Sequence, residues 1–297
     1  MNLSRLTLVA LATLPALLQG QTVFNDSWLD GGRDDGADPA DTSWFTSTSS
    51  SAIEVSTGSM GLVSGTSGRG IHGLYTPTSL NEGDMLTLTY SFTTPATVGS
   101  DRTNALRVGL GYSLDRSELA SDQSLSSSSP NPLFDGLPFY MVAYDVNTGS
   151  ENVSVYAHDT TLTVGRFMST TDEWTSLDSG GDPYSFAADT NYVGVMAITR
   201  SGADELTIEV TLSEDGSLIS SYSLVDSGSV QTLYDMLGFQ VNSNTFGSVN
   251  SPDVADNGID FTNITLEYTA VPEPATLALV MGGLVLGLGI LRRRRKV

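Results

Sequence analysis

The eight residues Glu205–Leu212 read E-L-T-I-E-V-T-L, and so strict an alternation leaves the chain few choices. Successive side chains of an extended strand leave on opposite faces. Leu206, Ile208, Val210 and Leu212 therefore line one side, and Glu205, Thr207, Glu209 and Thr211 the other. That is the signature of a half-buried antiparallel strand. Ser213-Glu214-Asp215-Gly216 follows as a turn, and Ser217–Leu224 returns as S-L-I-S-S-Y-S-L, which predicts a hairpin.

The same period recurs along the chain while helical periodicity is nearly absent. Asp84–Thr93 (D-M-L-T-L-T-Y-S-F-T) is a second clear strand, and Trp44-Phe45 begins another. Further strands are expected at Ala105–Tyr112, Phe139–Val146, Val153–His158, Thr161–Phe167, Tyr192–Thr199, Met236–Val241 and Asp260–Thr269. Only Leu114–Ser121 and Val230–Leu237 suit short helices. The low-complexity stretches Thr46–Ser51 and Ser124–Ser129 read as loops, and no internal repeat is present. Strands without intervening helices predict an all-β protein, an antiparallel β-sandwich or jelly roll, in one domain over 21–270.

Charge narrows the partners. Residues 21–270 hold seven arginines, no lysine and every acidic residue but Glu273, a net of −26 from 33 acids. Such a surface repels phosphate backbones, so nucleic acid is excluded as a partner. There is no cysteine, so an apolar core, helped at most by metal ions, must hold the fold. His72 and His158 are the only imidazoles, which excludes zinc and thiol chemistry. No G-x-S-x-G elbow occurs, and neither histidine has a motif context.

The two ends carry addresses. Met1–Gly20 has one charge, Arg5, an apolar segment Leu6–Leu18 and a plausible cut after Gly20, the layout of a secretory signal peptide. At the other end Val271-Pro272-Glu273-Pro274 opens a segment whose residues 275–291 bear no charge. At 1.5 Å per residue these 17 residues cover about 25 Å as a helix, the lower limit for one transmembrane span. Arg292, Arg293, Arg294, Arg295 and Lys296 then act as a cytoplasmic stop. The alternative is an ordinary C-terminal anchor with a rigid Val-Pro-Glu-Pro spacer.

This succession of motif (271–276), helix (275–291) and basic end (292–297) resembles the PEP-CTERM sorting tail of Gram-negative bacteria. The resemblance implies export, transient hold in the inner membrane through the tail, and cleavage near Pro272-Glu273-Pro274 by an exosortase-type enzyme. It further implies delivery to the cell envelope, surface or extracellular matrix, in association with exopolysaccharide.

The strand order, above all Val193–Leu224, resembles the concanavalin A-like lectin/glucanase jelly roll. That likeness implies carbohydrate binding, carbohydrate cleavage or a passive extracellular module. Glu205-Leu206-Thr207-Ile208-Glu209 resembles the E-x-D-x-E strand of laminarinase-type glycoside hydrolases, with Thr207 where that family has aspartate. Carboxylates four residues apart on a strand lie roughly 13 Å apart, whereas a retaining pair needs about 5 Å. No catalytic residue is therefore assigned, and the acids read as a solvent-facing strand.

Two further candidates concern ligands. The segment Asp26–Asp41 holds six aspartates among glycines, a composition suited to calcium, though without EF-hand spacing. Jelly-roll carbohydrate-binding modules often hold a structural calcium where first and last strands meet, which implies Asp26 near Asp260; solvated surface acids are the alternative. Of the tryptophans, Trp44 reads as core. Trp174, in a polar stretch, reads either as edge packing or as an exposed platform for stacking on a sugar ring. The reading at this point is an exported, surface-sorted structural or interaction protein without enzymatic activity. A carbohydrate-binding lectin-like module and a glycoside hydrolase are the alternatives.

Overall fold

The computed structural model describes residues 20–34, 41–48, 53–63, 68–99, 102–123, 131–146, 153–163, 165–170, 173–228, 230–243, 245–247 and 258–271. The signal segment, Asp35, Asp38, the motif residues Pro272, Glu273 and Pro274, the tail helix and Arg292–Lys296 lie outside them. Among the described residues no helix is long and apolar enough to cross a membrane. Thr22–Tyr268 forms one compact unit.

Fifteen strands are described: β1 (Gln21–Asp26), β2 (Ser43–Thr46), β3 (Ile53–Ser56), β4 (Ser59–Val63), β5 (Arg69–Ser79), β6 (Met85–Thr93), β7 (Arg102–Gly111), β8 (Phe139–Val146), β9 (Val153–His158), β10 (Trp174–Gly180), β11 (Asn191–Gly202), β12 (Glu205–Glu214), β13 (Ser217–Asp226), β14 (Leu233–Val241) and β15 (Gly258–Thr269). They form two antiparallel sheets. One has eight strands in the order β13-β12-β11-β6-β15-β4-β3, with β1 also on β15; the other runs β10-β9-β8-β7-β14-β5-β2. The inner faces share one core that includes Leu88, Tyr90 and Phe261 from the first sheet and Val108, Val142 and Phe239 from the second. Tyr90 and Tyr144 join the sheets through their hydroxyls, 2.5 Å apart in the dry interior.

The alternating segment folds as expected. Leu206, Ile208, Val210 and Leu212 are buried, each no more than 1% exposed, and their neighbours face outward. The β12–β13 hairpin turns on Asp215 and Gly216, both at positive φ (46° and 81°), the left-handed pair that a two-residue turn of type I′ demands.

Three expectations are corrected. Val230–Leu237 is no helix: β14 starts at Leu233 and lies between β5 and β7, buried along eight of its nine residues. A strand packed on both faces loses its alternation, and Val230, Leu233, Tyr234 and Leu237 then mimic helical spacing. Leu114–Ser121 yields only a single 3-10 turn, Ser117–Leu119. Thr161–Phe167 is turn rather than strand in its described residues, because the Asp159 carboxylate accepts from both the backbone N–H and the hydroxyl of Thr161.

Candidate functional site

The outer face of the seven-stranded sheet is not open. Residues 112–123, 131–138, 159–163, 165–170 and Glu173 fold over it and close a second apolar cluster around Phe134, Phe139, Met141, Phe167, Met168, Trp174 and Met236. Glycines make the room. A Cβ on Gly109 or Gly111 of β7 would collide with the Phe139 ring, and one on Gly238 of β14 with the Phe167 ring. The rings thus lie directly on the sheet backbone and pack on each other, with Phe134–Phe167 centroids 4.9 Å apart and Phe139–Trp174 at 6.2 Å. A gap of about 10 Å³ remains, lined by Phe134, Leu137, Phe139, His158, Arg166, Phe167 and Trp174. That is room for about one water, not for a sugar ring.

Three polar side chains of the sheet find partners in the roof or beside it. The fully buried His72 of β5 has Nε2 2.7 Å from the Leu119 carbonyl, so Nε2 carries the proton and Nδ1 accepts from Ser47 Oγ at 2.9 Å. Burial pushes the His72 imidazole down to about 4. The Ser47–His72 pair has the tautomer of a nucleophile and its base, yet such an imidazole is a poor base near neutral pH, and Ser47 is itself buried. Arg107 of β7 donates from Nε to the Asn104 carbonyl and from a terminal nitrogen to the Met168 carbonyl at 2.7 Å; burial lowers it to about 10. His158 donates from Nδ1 to the Leu137 carbonyl, and burial lowers its pKa as well. These contacts pin the roof to the sheet. Sequence reasoning missed them because Ser47, His72 and Leu119 have no local pattern in common.

The sequence-predicted residues fall as follows. Trp174 opens β10 and is 8% exposed. Its indole lies 4.9 Å from the His158 ring and edge-on to Phe139, and its Nε1–H points to the Arg166 carbonyl. At this exposure most of the indole is packed against His158 and Phe139. Trp28 and Trp44 are buried completely.

First and last strands do meet: β1 pairs with β15, and Asn25 accepts from Asn263 and Thr265. The two expected calcium ligands nevertheless leave the sheet on opposite sides. Asp26 shares the inward face with Phe24, whereas Asp260 stands between inward Ile259 and Phe261 and so points out, over Gly61. Asp26 is 2% exposed and accepts from the Trp28 N–H at 2.9 Å and the Trp44 indole N–H at 2.6 Å. Burial, offset in part by these donors and reinforced by Asp41, raises its pKa to about 7. Both its oxygens thus serve the tryptophans. Among the described residues no group of three or more His, Asp or Glu side chains is placed to hold a metal ion.

Glu205 and Glu209 share the outward face of β12. Glu205 accepts from Ser201 Oγ at 2.8 Å, and Glu209 is exposed on the open sheet surface. Of the sorting motif only Val271 is described, 49% exposed.

The class defined by these features is an acidic two-sheet antiparallel β-sandwich with one sheet roofed by loops. Residues 270–296 match the PEP-CTERM protein-sorting motif. Comparison of the whole sequence with curated proteins gives no match. Among solved structures the chain is similar to the carbohydrate recognition domain of Emp46p in its metal-free form, at 10% identity, 84% of this chain and 98% of that one, TM-score 0.49. It is similar also to the exoplasmic/lumenal domain of VIP36 in its Ca2+/Man-bound form, at 11% identity, 86% and 98% coverage, TM-score 0.48. A third is lectin I-B4 from Griffonia simplicifolia, at 12% identity, 84% and 99% coverage, TM-score 0.45. The fold assignment stands on the strand order and register described above.

Proposed function

We propose that this chain is an exported, surface-sorted structural or interaction protein, whose tail is cut near Val271–Pro274 by an exosortase-type enzyme and whose β-sandwich is the delivered cargo. The observation that carries this reading is the match of residues 270–296 to the sorting motif. The apolar run and the basic end at Arg292–Lys296 give the tail a hold in the inner membrane until cleavage. The body then joins the envelope or extracellular matrix, with exopolysaccharide as its surroundings.

The body supports a structural or interaction role over a lectin role, because all three tryptophans are buried and the roofed sheet leaves a gap of about 10 Å³. Mass spectrometry of the mature C-terminus in a host with exosortase tests the sorting claim. A mature chain ending within the motif is expected, and retention of Arg292–Lys296 overturns the reading in favour of a plain anchor. A glycan array probed with the folded protein separates the two roles of the body; strong, saturable binding to one glycan would replace the structural reading by the lectin one.

A further inference from the structure

Lysine is absent from residues 21–270, and the one lysine of the chain, Lys296, stands past the sorting motif. A body cut after Gly20 and again within 271–274 therefore holds a single primary amine, the new α-amine of Gln21. The residue that bears this amine decides its fate. An N-terminal glutamine carries its own electrophile, because its α-nitrogen and its side-chain Cδ are spaced to close a five-membered lactam.

The fold leaves that closure open. Gln21 is the first residue of β1 and is exposed, as is Thr22, and its carboxamide bonds to none of the described residues. Ring formation uses only the atoms of Gln21 and rotation of its side chain, so the pairing of β1 with β15 is kept. Further along the same strand Phe24 and Asp26 are 1% and 2% exposed. The end that closes is thus the wet end, while the strand behind it is fixed in the core. An α-amine has an ordinary pKa of about 8, so near neutral pH an appreciable fraction is unprotonated and nucleophilic. The acidic body holds the proton more tightly and slows closure, but loss of ammonia makes the step one-way.

We propose, resting on the export reading and its cut after Gly20, that the mature chain begins with pyroglutamate at position 21 and that the delivered body carries no primary amine. The neutral α-nitrogen of Gln21 attacks Cδ, the bond from Cδ to Nε2 breaks, and Nε2 leaves as ammonia with the proton that the α-nitrogen gives up. Nothing is oxidised or reduced, and no co-reactant is consumed. Two consequences suit an extracellular site. Aminopeptidases that bind a free α-ammonium lose their substrate, so β1 is not trimmed toward Phe24 and Asp26. Reducing ends of polysaccharide, whose aldehydes condense with amines, find none on this surface.

The secreted, processed protein is reductively dimethylated in urea before digestion with trypsin, and the 21–33 peptide is weighed. The expected peptide is unlabelled and lighter by one ammonia than the glutamine form. Gln21→Asn would have to close a four-membered ring, so this variant is expected to keep its amine and take the label. An aminopeptidase is expected to shorten the variant and leave the parent chain intact. A dimethylated Gln21 overturns the proposal and leaves the export reading standing, and so does equal trimming of parent and variant. A mature chain that begins at another residue overturns both the proposal and the cut after Gly20, while the sorting cut is read separately from the C-terminus.

Discussion

Along β12 exposure alternates residue by residue, whereas along β8 all eight residues from Phe139 to Val146 are buried. Both strands sit inside sheets of the same sandwich and face the same core. The difference lies on the far side, where Thr207, Glu209 and Thr211 meet water but Met141 and Phe139 meet a roof of loops. The eight-stranded sheet is stabilised through one face. The seven-stranded sheet is stabilised through two, and its outer contacts depend on rings seated on bare backbone at Gly109, Gly111 and Gly238.

The sharpest way to break this contrast is to fill the seat. Gly111→Ala places a methyl where the Phe139 ring lies, so the ring or the strand must move. Overpacking of this kind costs about 3 kcal/mol, and urea unfolding should show that loss. In a Phe139→Ala background the same methyl meets no ring, so its cost should fall by about 2 kcal/mol, a coupling that a double-mutant cycle reads directly. Equal costs in the two backgrounds would mean that the glycine serves the backbone rather than the ring.

The same contrast decides what could be read from the sequence. The hairpin of β12 and β13 was legible almost to the residue, because one wet face enforces alternation and Asp215-Gly216 suits only a tight turn. β8 and β9 were legible by their apolar, β-branched and aromatic content. β14 was misread in its first half, and β5 (R-G-I-H-G-L-Y-T-P-T-S) was overlooked, because burial on both faces erases the period and glycines replace side chains under rings. Pairing of β1 with β15 followed from the fold resemblance, but the inward turn of Asp26 did not, since its reason is two tryptophan donors, Trp28 and Trp44, the second 18 residues away. The Ser47–His72–Leu119 contacts span the roof and the sheet, and nothing local encodes them.

The two sheets should also answer to pH in opposite senses. Asp26, on the eight-stranded sheet, has its folded pKa raised to about 7, so between its ordinary value near 4 and pH 7 the folded state binds the extra proton. Its contribution to stability is full below about pH 4 and is lost as pH rises toward 7. His72, on the seven-stranded sheet, is lowered from 6.5 to about 4, so here the unfolded state binds the extra proton. Its contribution is full above about pH 6.5 and is lost as pH falls toward 4. Between these limits the two slopes oppose each other, each at most about 1.4 kcal/mol per pH unit. Urea midpoints measured from pH 4 to 7 should show Asp26→Asn gaining on the parent protein as pH rises, and His72→Gln losing ground. Parallel curves for parent and variant would remove the corresponding residue from the argument.

A smaller effect comes from the Tyr90–Tyr144 hydroxyl contact between the sheets. Tyr90→Phe or Tyr144→Phe leaves the other hydroxyl unpaired in a dry core, at about 1–2 kcal/mol each by thermal or urea unfolding. The double variant removes both groups and should cost less than the sum, since no buried hydroxyl is left stranded. An additive result would mean that each hydroxyl has a further acceptor and that the bridge does not couple the sheets.

The smallest expected change tests the open side. Thr211 on the outer face of β12 pairs with Val195 of β11 and Ser221 of β13 and is half-exposed. Thr211→Ala should move stability by less than about 0.5 kcal/mol, as surface substitutions do, against the several-fold larger cost of Gly111→Ala beneath the roof. This near-neutrality bears on function, because a face that folding leaves unconstrained can carry serine, threonine and glutamate for solubility or for contact at no cost in stability. A loss above 1 kcal/mol would show instead that the outer face of the eight-stranded sheet is packed in solution, and the distinction between the two sheets would then lie in what covers each rather than in whether it is covered.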